Sequence, residues 1–101
     1  MSESAVQMNE AGELQLSGVL DYRSGPGLRE QGQALIKASK AAALVVDCSA
    51  VTKSSSIGLS LLLCFMRDAQ AAGKPLSIRG MPEDMREIAQ VSELTELLAH
   101  P

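Results

Sequence analysis

The sequence predicts an α/β domain: a small, mixed and mostly parallel sheet of about four strands, with helices packed against it. Three observations carry this. Leu14-Gln15-Leu16-Ser17-Gly18-Val19-Leu20 alternates apolar and polar residues, the period of a half-buried strand. In Ala43-Leu44-Val45-Val46-Asp47-Cys48 the run up to Asp47 is continuously apolar and rich in branched residues, bounded by Asp and Ser, as a strand buried on both faces would be. Segments of helical period follow each of these runs, and strands alternating with helices join through right-handed crossovers into a parallel sheet.

Each element has its own signal. Ala5–Met8 and the turn at Glu10-Ala11-Gly12-Glu13 predict an N-terminal hairpin with the 14–20 strand. Arg23-Ser24-Gly25-Pro26-Gly27 is a loop. Leu28, Leu35, Ile36 and Ser39 then recur at helical spacing, predicting a helix from about Pro26 to Ser39. Gly32 lies on that same face and marks close packing. After the 43–48 strand, Ile57 to Ala72 is too long for a strand and stops at Gly73 with Pro75 beyond, a helix terminus. Pro75–Arg79 is a further short strand. Pro82 opens a third helix, with Glu83 and Asp84 favourably placed in its first turn. Ser92 caps a last short helix through Leu98. No repeat, linker or low-complexity tract divides residues 1–101, so one domain is expected.

Composition narrows the function. The net charge is −3 and the nine Lys and Arg are scattered, so no nucleic-acid footprint is present. One Tyr, one Phe and no Trp build no stacking platform for bases. The longest apolar run, Leu61–Met66, is far short of the roughly 20 residues that span a membrane, and no membrane insertion is expected. The start, MSESAVQMNEAGE, lacks an export pattern, so a cytoplasmic chain with reduced cysteines is expected.

Catalytic chemistry has little to work with. The sole His, His100, is the penultimate residue, which leaves no Ser-His-Asp arrangement and no metal site. Cys48 has no activating base nearby in sequence and reads as core. The glycines form no phosphate-binding loop, so no cofactor is expected. The chain reads as a non-enzyme.

The informative stretch is Val46 to Leu63, VDCSAVTKSSSIGLSLLL. Ser54, Ser55 and Ser56 lie where strand gives way to helix. A serine there caps the helix by accepting a bond from an unpaired N–H of the first turn. The same place also favours an added anion or a partner carboxylate. Behind the serines, the apolar residues from Ile57 to Met66 spread over more than one face. One side of a sheet covers only a stripe of roughly 100°. The remainder is expected to face a partner, a fully buried helix being the competing reading.

These residues also carry a resemblance. Gly18-x-Leu20-Asp21, then Asp47-x-Ser49-x-Val51, then Ser56-x-Gly58-Leu59-x-Leu61-Leu62 resembles the STAS domain family across nearly the whole chain. The resemblance implies the STAS fold and a binding role without catalysis. Ser56 matches the Ser or Thr that kinases phosphorylate in anti-sigma-factor antagonists, which makes it the implied phosphoacceptor. Ser55 stands where the family usually has Asp, and Ile57 where it has a small residue.

Within the family, the sequence is most similar to the small cytoplasmic STAS subunits of ABC transporters that move phospholipids and maintain outer-membrane lipid asymmetry. That similarity implies the transporter's ATPase subunit as partner, in a complex with a permease and a lipid-binding subunit. It further implies two copies per transporter, peripheral to the inner membrane. The implied contact surface is Lys53, Ser54, Ser55, Ser56, Ile57, Leu59 and Ser60, with Asp21, Tyr22 and Arg23 nearby. The alternative is an anti-sigma-factor antagonist in a phosphorylation cascade. A small-ligand module is a third reading.

Overall fold

In the computed structural model, which describes residues 4–91, the chain forms β1 (Ala5–Met8), β2 (Leu14–Leu20), α1 (Gly25–Ala38), β3 (Leu44–Ser54), α2 (Ser56–Ala71), β4 (Leu76–Arg79) and α3 (Glu83–Val91). The expected last helix and His100 lie outside the described residues. The strands form one sheet in the order β1-β2-β3-β4. β1 pairs antiparallel with β2, while β2–β3 and β3–β4 are parallel. The expected mixed, mostly parallel sheet is therefore present.

The order explains where the helices go. Successive parallel strands step in one direction, so two right-handed crossovers place α1 and α2 on the same face. The alternation in β2 serves this arrangement. Leu14, Leu16 and Leu20 are fully buried under the helices, each contributing about 1.5–3 kcal/mol of transfer free energy. Gln15, Ser17 and Val19 point to the opposite face and are only half-buried.

α1 and α2 pack tightly because Gly32 has no side chain. A Cβ there would overlap the ring of Phe65, which is itself completely buried. The expected close approach at Gly32 is thus an inter-helix contact. α2 ends as expected, with Gly73 at φ +71° just past its cap, Ala72.

β3 is longer than the expected 43–48. It runs to Ser54 because Ala50, Val51, Lys53 and Ser54 continue the ladder with Ser17, Gly18, Val19 and Leu20 of β2. Two register shifts interrupt that ladder, between Gln15 and Ser17 and between Gly18 and Val19. The mostly polar run SAVTKSS hides this extension from a hydropathy reading, since a strand's backbone pairs whatever its side chains are.

The face without a described helix carries an ion-paired cluster. Asp47 is only 5 % exposed. Its Oδ1 accepts from the Ser49 N–H at 3.0 Å, and its Oδ2 from Arg79 at 3.3 Å. Arg79 also holds Glu13 at 2.6 Å. The Ser49 bonds, helped by Arg79 and opposed by desolvation, hold the Asp47 carboxyl below its ordinary value of 3.8. A carboxylate with a depressed folded pKa stabilises the fold above its unfolded pKa. That contribution is lost as pH falls through the lower folded value. Thermal unfolding from neutral pH to well below 3.8 should show this acid-sensitive component in the natural sequence. It should be missing in Asp47→Asn.

Candidate functional site

The site is built where two strand ends deliver two helix starts side by side. At the end of β2, Asp21 makes the turn: its Oδ1 accepts from the N–H groups of Arg23 at 2.9 Å and Ser24 at 3.2 Å. Ser24 fastens the same turn, its hydroxyl donating to Val19 O at 2.9 Å and accepting from the Asp21 N–H at 3.1 Å. Asp21 is thus a builder of the loop, with its carboxylate committed to backbone. The turn thrusts Tyr22 outward, 71 % exposed, with the Arg23 guanidinium 5.6 Å from its ring centroid.

At the end of β3, the three serines part company. Ser54 is buried, its hydroxyl donating to Ser55 O at 2.8 Å. Ser55 is the N-cap of α2: its backbone is extended and its Oγ accepts from the Ile57 N–H at 3.2 Å. The same hydroxyl and the Ser55 N–H both reach Leu20 O, at 3.3 and 3.0 Å, tying the helix start to β2. Ser56 is the first residue of α2, is exposed, and makes no side-chain hydrogen bond to a described residue. Gly58 is required here because a Cβ would overlap the Ser54 hydroxyl.

Three corrections to the expected surface follow. Ser54 ends a strand and lies inside. Leu59 is 2 % exposed and belongs to the core, as do Leu61, Leu62, Phe65 and Met66. The physical reason is that α2 packs against the sheet, α1 and α3, so its apolar residues are covered on several sides. The surplus apolar face expected for a partner is therefore mostly core, leaving Ile57, Leu63 and Cys64 half-buried. Lys53 is exposed but separate: its register with Val19 turns it to the sheet face opposite the helices.

Of the remaining residues, Tyr22, Ile57 and Ser60 converge on one groove, while Asp21 and Arg23 line a separate depression with Ser24. Tyr22, Pro26 and Arg29 form one wall and Ile57, Ser60 and Cys64 the other of an open groove of about 340 Å³, lined almost entirely by carbon. Ile57 is wedged at its head, its Cγ2 2.8 Å from where a Gly25 Cβ would be. Pro26, Arg29 and Cys64 were not anticipated, although for Cys64 the pattern was available. Positions 57, 60, 61 and 64 follow the i, i+3, i+4, i+7 spacing of one helix face. That stripe faces Tyr22, in the turn before α1, and Gly25, Pro26 and Arg29 at the start of α1, and together they make the groove.

The groove offers an exposed aromatic ring, aliphatic walls, the Ser60 hydroxyl and the Arg29 guanidinium. Cys48 lies elsewhere, wholly buried, its thiol pushed up to about 12 by desolvation and the neighbouring Asp47. Among the described residues, no three His, Cys, Asp or Glu side chains cluster in a way that would hold a metal ion. No helix of the described residues is long and apolar enough to cross a membrane.

Comparison with known proteins agrees with this architecture. Residues 4–99 match the family model described as Mlab, STAS domain. A chain of the Acinetobacter MlaFEDB complex in an ATP-bound conformation superposes with a TM-score of 0.78 at 26 % identity, over 96 % of this chain and 99 % of that one. An anti-sigma factor antagonist from Mycobacterium paratuberculosis gives 0.76 at 20 % identity, over 100 % and 86 %. Unphosphorylated SpoIIAA, also an anti-sigma factor antagonist, gives 0.72 at 18 % over 93 % and 84 %. At those lower identities the likeness is one of fold. Matched by the family model over most of its length, the chain belongs to the STAS-domain family, in its MlaB-type branch.

Proposed function

We propose that this chain is a non-enzymatic accessory subunit that binds the MlaF-like ATPase of a phospholipid ABC transporter and supports its assembly and activity. The transporter maintains outer-membrane lipid asymmetry and also contains a permease and a lipid-binding subunit. The chain sits on its cytoplasmic side, in two copies. The observation that carries this reading is the carbon-lined groove beside the exposed start of α2, headed by Tyr22. Aromatic anchors beside an apolar cleft are what protein interfaces use. The similarity to a chain of an assembled MlaFEDB complex supports it.

Co-expression with the ATPase subunit tests it. The tagged chain should retain the ATPase on affinity resin, and reconstituted transporter lacking the chain should hydrolyse ATP more slowly. Failure of both would sink the proposal. The exposed Ser56 favours a second reading, phosphorylation in a partner-switching cascade. That reading requires the intact mass to rise by one phosphoryl group after incubation with a partner kinase and ATP. With Ser55 in place of the family's usual Asp, we expect no change.

A further inference from the structure

The hydrogen bond that anchors the end of β3 comes from α3. Successive backbone N–H groups of a strand point to opposite edges. The Ser55 N–H faces β2, where it meets Leu20 O at 3.0 Å. The Ser54 N–H therefore faces the other edge. β4 pairs with β3 only from Leu44 to Asp47, so no described strand reaches that N–H. The Asp84 carboxylate does: its Oδ2 accepts from the Ser54 N–H at 3.0 Å, and its Oδ1 from the Met85 N–H at 2.9 Å. Both oxygens are engaged, which fixes the carboxylate on the first turn of α3.

Met85 adds a second hold. It is fully buried, and its Cε lies 3.3 Å from where a Gly58 Cβ would be. The first turn of α3 thus touches the chain on both sides of Ser55 and Ser56, once by a charge-assisted bond and once by packing.

We infer that Asp84 is a positioning residue for the docking surface: it takes the place of the missing β4 partner of Ser54, and so fixes where Ser55, Ser56 and Ile57 are presented. The inference rests on the docking reading above. It gives α3, which contributes nothing to the groove walls, a part in partner binding.

The test uses the full chain carrying Asp84→Ala or Asp84→Asn, with two readouts. Amide hydrogen exchange of the free chain compares Ser54 with Leu16, a remote β2 amide. Titration with the ATPase subunit gives affinity. Asp84→Ala should speed Ser54 exchange relative to Leu16, and weaken binding, each by about tenfold, the order expected for losing a bond to a charged group. Asp84→Asn keeps an acceptor oxygen and should restore both. Should the alanine variant not fold, Asp84→Glu, which displaces the carboxylate, should show the same direction.

Unchanged Ser54 exchange in Asp84→Ala, or equal losses in the alanine and asparagine variants, would overturn the inference. So would normal binding by Asp84→Ala when Tyr22→Ala weakens it. If Tyr22→Ala and Ser56→Arg both leave binding intact, it is the docking reading that fails. The exchange measurement then decides alone whether Asp84 positions the junction.

Discussion

Phe65→Ala should lower stability by about 3–5 kcal/mol, the range for a buried aromatic truncated to alanine. A chain of this size has roughly 5–15 kcal/mol in total, so much of the margin would go. The reason is local. Phe65 is fully buried, and its ring occupies the space that the absent side chain of Gly32 leaves between α1 and α2. Urea unfolding should show a lower midpoint with an unchanged slope. Gly32→Ala attacks the same seam by overfilling it, at about 1–3 kcal/mol. Because the two residues share one volume, the double variant should cost less than the sum of the singles. Strict additivity would mean that they do not meet.

The second large effect concerns binding. Tyr22→Ala should weaken the complex with the ATPase subunit by at least 2 kcal/mol, roughly 30-fold, as loss of an aromatic anchor does. Ile57→Asp, which places a charge at the head of the groove, should do the same. Tyr22 is 71 % exposed in the free chain, so its removal should leave the unfolding midpoint nearly unchanged. Leu59→Asp behaves differently. That residue is core, and the variant should lose stability and binding together. Calorimetric titration paired with thermal unfolding separates the two classes.

How far the sequence reveals this arrangement differs from element to element. β2 is legible because half-burial writes itself as alternation, and the end of α2 because Gly73 and Pro75 punctuate it. The extension of β3 to Ser54 is not legible. Its side chains are polar there, and the ladder that makes it a strand is a matter of backbone. The Gly32–Phe65 contact is half legible: a glycine on an apolar face announces close packing without naming the partner.

The docking surface shows the same split. That a serine caps α2 is local, and can be read from the strand-to-helix junction; that Ser54 turns inward while Ser56 stays exposed cannot. The burial of Leu59 is not legible, because neither the resemblance nor hydropathy counts how many neighbours a helix has; α1, α3 and the sheet together cover more of α2 than one sheet face would. The groove arises only when the Tyr22–Arg29 segment meets the Ile57–Cys64 stripe across α1 and α2. Asp84 reads as an ordinary first-turn acid until α3 is seen to lie against the end of β3.

The chain contains its own probe of the central claim. Cys64 is half-buried on the groove wall, while Cys48 is wholly buried away from it. The decisive measurement is the rate of Cys64 alkylation by iodoacetamide, followed by peptide mass spectrometry, with and without saturating ATPase subunit. If the groove is the docking surface, complex formation slows Cys64 modification at least tenfold, and Cys48 stays unmodified throughout. An unchanged Cys64 rate in a complex shown to have formed would place the partner elsewhere and contradict the account.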